Sequence, residues 1–324
     1  MTTTRRNFTR AALAVSAIFA FCNGALAQDK GPIKLIVPFV PGGSTDTVAR
    51  LIAPVMANEL GVSVVVENRA GAGGTVGLAA VAKAAPDGTT LGMTDSAFVV
   101  NPALIAKLPY DTQKDLLPVA LIASSPQVLM VHPQVPARSV KELVDLAKAS
   151  PGKLSFATAG NGTAIHIAAE QMRIAAGIDL LHVPYKGLGP AMTDAMGGQV
   201  TMVFGGPHTA KQQVATGKLR ALAITGARRS PAMPDVMSFA EAGYPAVDMV
   251  TSNGMVAPAG TPPEVLQRIN AAVNKALASP EVKQQFATLG LEAVGGTPEQ
   301  FRAWIAREIP KWADLAKKAN LRAE

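Results

Sequence analysis

The chain has 324 residues, 48% of them hydrophobic and 16% charged, with a formal net charge of +7. That balance excludes a disordered chain and describes one large or two medium domains around a sizeable core. The positive surplus has no dense Lys/Arg stripe or stacking aromatics in a known module, so nucleic-acid binding is excluded and capture of small anions is favoured.

The chain opens with an export signal. Arg5, Arg6 and Arg10 form a basic start, an apolar run extends from Ala11 to Phe21, and Ala25-Leu26-Ala27 offers the small residues a signal peptidase needs. The expected leader is 1–27, which places the mature protein in the periplasm. The apolar run is too short to be a membrane span. The adjacent arginines fit a twin-arginine route and equally the basic start of the general route. Cys22 is the only cysteine, and bulky Phe21 before it argues against a lipid anchor. It leaves with the leader, so no disulfide, thiol nucleophile or cysteine metal site is expected. The three arginines leave with it, which makes the mature chain only mildly basic.

The first element after the leader is the strand Ile33–Val37, stopped by Pro38 and Pro41. Gly42 and Gly43 turn the chain, and Ser44 opens an amphipathic helix to Leu60, in which Pro54 is expected to cause a kink or break. Further strands are expected at 62–67, 90–94, 119–123, 128–132, 154–158, 180–183, 200–204, 219–225 and 247–250. Further helices are expected at 75–83, 141–149, 164–175, 191–196, 209–216, 263–277, 280–289 and 298–320. Such alternation argues for parallel sheets covered by helices on both faces. Ser139 with Glu142, Thr261 with Glu264, and Thr297 with Gln300 have capping-box spacing. The helix after Thr261 sets Val265, Leu266, Ile269, Ala272, Val273, Ala276 and Leu277 on one face, which is core spacing.

The Gly42-Gly43 turn carries the first chemical signal. A glycine turn at a helix start presents unpaired N–H groups at the positive end of the helix dipole, and that geometry binds anions. Ser44 and Thr45 add hydroxyls. The alternative is a plain strand-to-helix turn with Ser44 as N-cap. The pattern recurs at Leu154–Ala169, where Gly160, Asn161, Gly162 and Thr163 repeat the glycine-plus-hydroxyl order. Two such turns fit two lobes facing one cleft.

Other chemistries lack their residues. Of the four histidines, His166 has Glu170 one turn away, but no third metal ligand and no HExxH pair exist. Gly71 to Gly77 misses the dinucleotide fingerprint, and no Walker sequence occurs. Ser44 is not in a GxSxG elbow. No cofactor and no metal are expected. A secreted hydrolase acting on a carboxylate ester is the second reading, and the missing nucleophile–base set counts against it.

Four ordered stretches, PFVPGGSTDTVAR at 38–50, ENRAGAGGT at 67–75, HVPYKGLGPAMTDAMGGQV at 182–200 and APAGTPPEV at 257–265, resemble the substrate-binding proteins of tripartite tricarboxylate transporters, the periplasmic Bug-type receptors. The resemblance spans nearly the whole mature chain. It implies a two-lobed α/β periplasmic binding protein, each lobe a mainly parallel sheet flanked by helices, with the ligand in the interlobe cleft. By analogy with that fold the chain crosses near Ser125 and returns near Val247. That gives lobe 1 as 28–125 with 248–324 and lobe 2 as 126–247. The implied ligand is a small carboxylate, expected to be a dicarboxylate with an aliphatic or aromatic body. The implied partners are membrane transporter subunits or a sensor protein, with the receptor itself a monomer.

The resemblance also implies a site. Phe39, Pro41, Gly42, Gly43, Ser44, Thr45 and Asp46 match the anion-cradling loop. Gly160, Asn161, Gly162 and Thr163, with His166 one turn on, match the second loop. Tyr185 and Lys186 stand in the PYKG segment. Lys186 is a charge partner for a carboxylate or a solvated surface lysine; Tyr185 and Phe39 wall the ligand body or belong to the core. Ser96 and Asn253 complete the candidate set. Members often carry an acidic residue where this chain has Thr201, and a tryptophan where it reads Thr251-Ser252-Asn253-Gly254. Both segments are expected to border the far end of the ligand.

Overall fold

The computed structural model describes residues 31–319, so the export signal read at 1–27 lies outside the described residues. Two sheets organise the chain. In the first, β1 (Ile33–Val37) is flanked by parallel β2 (Val64–Asn68) and β3 (Thr90–Thr94). Their connections are α1 (Ser44–Leu60) and α2 (Thr75–Ala82), since parallel strands need a crossover element. The sheet is extended by three antiparallel strands, β10 (Val250–Pro258), β4 (Leu116–Pro126) and β11 (Glu292–Gly295), giving the order β11-β4-β10-β3-β1-β2.

The second sheet has the order β7-β6-β8-β5-β9. Its strands are β5 (Val128–Val131), β6 (Ser155–Thr158), β7 (Leu181–Pro184), β8 (Met202–Gly205) and β9 (Arg220–Ile224). Between them lie α4 (Val140–Ala149), α5 (Ala164–Ala176), α6 (Leu188–Met196) and α7 (Pro207–Ala215), with α3 (Ala97–Leu104) earlier in the chain. After β10 come α8 (Pro263–Ala278), α9 (Pro280–Leu289) and α10 (Pro298–Ala319). Among the described residues no helix is long and apolar enough to cross a membrane. β5 and β8 are buried at every position. That is why they read as continuous apolar runs instead of alternating ones.

The strand–helix–strand units pair in parallel, as expected, while the strands passing between sheets run antiparallel, so each sheet is mixed. One face of the first sheet packs on α1 and α8 through Leu35, Val37, Ile52, Met56, Leu91 and Val273. A further cluster joins the opposite face to the second sheet, with Phe98, Leu129, Phe156, Phe204, Phe301 and Trp312 among its members.

Several expectations need correction. α1 runs unbroken through Pro54, which is exposed. The carbonyl left without an N–H partner there belongs to Arg50, itself an exposed residue. Helix α3 was not foreseen. Its sequence AFVVNPAL carries Pro102 and no amphipathic period, and Asp95 starts it by accepting the Ala97 N–H at 2.9 Å. β10 begins where the expected strand 247–250 ends, because the polar run Thr251 to Gly254 reads as a turn. β11 was likewise missed. Thr261 does not cap α8; its hydroxyl donates to the Pro258 carbonyl at 2.8 Å. At Thr297 and Gln300 both arms of the capping box form. At Ser139 the hydroxyl caps Glu142, whose carboxylate reaches back one residue further, to the Arg138 N–H.

The chain passes from β4 to β5 through one residue, Gln127, and its return ends in β10, paired to β4 with Val250 opposite Pro126. Gln127 and Thr225 are buried and bind each other. The Gln127 N–H donates to Thr225 Oγ1 at 2.8 Å, and the Thr225 N–H donates to the Gln127 carbonyl at 2.8 Å. The Thr225 hydroxyl then donates to the Met249 carbonyl. Thr225→Val keeps the shape and strands two buried backbone groups. Urea denaturation should show a loss of about 2–4 kcal/mol. A loss below about 0.5 kcal/mol would contradict this account of the crossing.

Candidate functional site

At the first turn the backbone demands glycine at one position only. Gly42 has φ +83°, in the left-handed region, whereas Gly43 has φ −75° and ψ 169°, which any residue adopts. Asp46 braces the turn from within. Its carboxylate accepts the Gly42 N–H at 2.9 Å, Arg50 Nε at 3.0 Å and Asn68 Nδ2 at 2.8 Å. The hydrogen bond from Arg50 is the largest cause holding the Asp46 carboxyl down at about 2, so it stays ionised. Asp46 therefore shapes the loop and offers no donor to an anion. Thr45 is buried, and its hydroxyl accepts from Asn253 Nδ2 at 3.0 Å, which ties β10 to the start of α1. Asn253 is itself buried and acts as this tie.

The second turn rests on a stack of rings. His166 lies face to face with His182 at 4.1 Å between centroids, and His182 with Phe156 at 4.8 Å. The Gly162 N–H donates to His166 Nδ1 at 3.0 Å, so the ring proton of the neutral imidazole sits on Nε2. Burial, with the neighbouring His182 as second cause, lowers His166 to about 4. The Thr163 hydroxyl donates to the Gly160 carbonyl at 2.8 Å, closing the turn. Thr163 is the N-cap of α5, and the first N–H groups of any helix have no acceptor within it. Glu170 pairs with Arg173 at 2.8 Å and not with His166, and no group of three potential metal ligands occurs among the described residues.

A cavity of about 880 Å3 lies between the two sheets. Phe39, Ser96, Asn161, Gly162 and Thr163 of the candidate set line it. Pro41 and Gly42 to Asp46 fall outside its wall, as do Gly160, His166, Tyr185, Lys186 and Asn253. The structure thus brings Phe39, Ser96 and the Asn161 turn together around one cavity. Tyr185 donates its hydroxyl to Asp194 at 2.6 Å, which raises it to about 12, and it packs against the second-sheet core. Lys186 is exposed. Of the two departures, Thr251 lines the cavity, but Thr201 is engaged with Ser155 in the second sheet at 3.0 and 3.1 Å.

Sequence reading missed Asp95, Asn101 and Lys107 in the wall, whereas Thr251 belongs to a segment expected to border the ligand. Asn101 donates to the Gly73 carbonyl at 3.1 Å, fastening α3 to the glycine-rich segment. All three lie on or beside the unforeseen α3. A polar residue between two apolar runs, Asp95 after Leu91 to Thr94, was the available signal. Leu104 of α3 faces Gly162 across the cavity, where a methyl group on Gly162 would come within 2.7 Å of it. A second hollow of about 640 Å3 is lined by Pro102, Ile105 to Gln113 and Ile309. It takes no residue from the second sheet or its helices.

Two α/β sheets joined by crossing strands, with a cavity walled from both sides, define a two-lobed binding protein. The chain belongs to the tripartite tricarboxylate transporter receptor family, TctC, whose model matches residues 48–321. It is 38% identical over 322 residues to BugT of Bordetella pertussis, covering 97% of this chain and 98% of that one. Among solved structures it is similar to the periplasmic binding protein BugD, at 36% identity and a TM-score of 0.76 over 90% of this chain and 99% of that chain. It is also similar to an R. palustris protein with adipate, at 31% identity and a TM-score of 0.79 over 91% and 99% of the two chains. MatC from Rhodopseudomonas palustris with bound malate gives 34% and 0.74 over 88% and 98%. The family is one of periplasmic receptors that bind, and the hydrolase reading is set aside.

The buried imidazole has a measurable consequence. The folded chain keeps His166 neutral down to about pH 4, while the unfolded chain protonates it at 6.5. The unfolded state binds more protons in that window, so this group lowers stability as pH falls through it. Asp95, pushed up to about 7 by burial, acts with opposite sign between 3.8 and 7. The His166 contribution is therefore read as a difference. In His166→Asn, which keeps an acceptor for the Gly162 N–H, the change in unfolding free energy between pH 7 and 4 should be more favourable to the acid side by about 2–3 kcal/mol than in wild type. Identical pH profiles would contradict a buried neutral His166.

Proposed function

We propose that this chain captures a small carboxylate, preferentially a dicarboxylate, in the cavity between its sheets and delivers it to the membrane subunits of a tripartite tricarboxylate-type transporter. The observation that carries the reading is the start of α5 in the cavity wall, at Thr163 and Ala164. A helix start offers free N–H groups and positive dipole potential, and no buried cation needs to be desolvated to use them. Lys107, exposed on the same wall, adds a positive charge. Adipate and malate in the two R. palustris relatives support a carboxylate and span an aliphatic size range. Residues 28–125 with 248–324, and 126–247, are the proposed moving lobes, closing because both contact one ligand. Residues 1–27 are the proposed export signal.

Backbone donors resist side-chain truncation, but α5 offers a way to remove one. Ala164 is its first residue, where proline is tolerated, and Thr163 before it has ψ 158°, as a residue preceding proline requires. Ala164→Pro deletes one N–H and keeps the helix. In calorimetric titrations with succinate, glutarate, adipate, malate, phthalate and butyrate, wild type should bind at least one diacid more tightly than butyrate. Ala164→Pro should weaken that diacid roughly 10–100-fold. Absence of binding by the whole panel, or an Ala164→Pro variant that binds like wild type, would overturn the proposal.

A further inference from the structure

One residue in the wall has the wrong sign for a plain anion site. Asp95 follows β3 and lines the cavity, half-buried. Its Oδ1 accepts the Ala97 N–H at 2.9 Å. Among the described residues it belongs to no ion pair, in contrast to Asp46, which Arg50 neutralises. The titratable groups around it are Tyr110, whose buried hydroxyl feels its charge, and Lys107, which lines the same cavity. Burial is the largest cause raising its carboxyl to about 7, countered only by backbone N–H groups.

A carboxyl group in that position repels a ligand that presents only oxygen acceptors. It attracts one that carries a donor, because a half-buried carboxylate with no ion-pair partner gains from a charge-assisted hydrogen bond. Resting on the carboxylate reading above, we propose that Asp95 is a specificity-determining residue that receives a hydroxyl or ammonium donor on the ligand, so that the receptor selects hydroxy- or amino-substituted carboxylates over plain alkane diacids. The other wall groups fit this division. The α5 start supplies donors to the carboxylate end, and Asp95 supplies the acceptor.

The test uses ligand pairs that differ by one substituent, titrated calorimetrically into the full mature protein: succinate, malate and aspartate, and adipate with 2-aminoadipate. Asp95→Asn is the variant, because asparagine keeps both the size and the acceptor that starts α3. Its folding is checked by thermal unfolding. In wild type the substituted member of at least one pair should bind about tenfold or more tightly than the plain one, and in Asp95→Asn the gap should shrink to about threefold or less. Malate and aspartate separate the hydroxyl from the ammonium. For an ammonium ligand the wild-type advantage should also grow between about pH 6 and about pH 8, as Asp95 loses its proton, and stay flat in the variant. Plain diacids binding wild type as tightly as their substituted partners, or a gap that survives Asp95→Asn, overturns this inference and leaves the carboxylate reading standing. If no member binds, the carboxylate reading falls and this inference with it.

Discussion

The molecule depends on two strands that cross between the sheets side by side. β4 and β10 are hydrogen-bonded neighbours up to the point where the first sheet ends, with Thr251 opposite Ser125 and Val250 opposite Pro126. Beyond it, Gln127 and Thr225 replace the sheet ladder with side-chain and backbone bonds in a buried setting. Two adjacent connections resist twisting apart far better than one. Gln127 Nε2 donates to Thr251 Oγ1 at 2.8 Å, and Thr251 lines the cavity, so the crossing and the binding surface share a residue. A second link lies further out. Asp248 accepts Lys311 of α10 at 2.7 Å and Gln171 of α5 at 2.7 Å, which joins helices from the two sheets.

The electrostatics of the cavity follow from how each polar group is buried. Asp46, close to the first turn, is cancelled by Arg50 and by N–H donors. His166, below the second turn, is neutral because it is buried and because His182 lies against it. What reaches the cavity is the positive end of α5 and the exposed amine of Lys107, with Asp95 as the lone negative wall group identified. Charges that shape the loops are thus paired or neutralised, while those that face a ligand are left uncompensated.

Much of the architecture was legible because the buried strands are short apolar runs stopped by Pro or Gly, and the helices have clear starts. Ser44–Leu60, Thr90–Thr94 and Pro280–Leu289 have the expected bounds. The misses share a physical cause. α3 is apolar around and carries Pro102, so it has no amphipathic stripe to read. β10 has polar residues where it meets the crossing, because there they bond to α3, to α1 and to Gln127 instead of facing a solvent. The site was half legible. Both glycine turns were found from local pattern, but local pattern does not tell a loop that forms the wall from one that braces it. Asp46 is turned into its own loop by Arg50, Asn68 and the Gly42 N–H, and only the fold shows that Asp95, Asn101 and Lys107 line the cavity.

The central claim is that residues from both sheets hold one small carboxylate. A crystal structure with the tightest-binding diacid tests it most directly. The account predicts a ligand carboxylate on the N–H groups at the start of α5, with the ligand body against Phe39 and α3. A ligand seated in the hollow beside Ile105 to Gln113, or touching residues of one sheet's half alone, would contradict it.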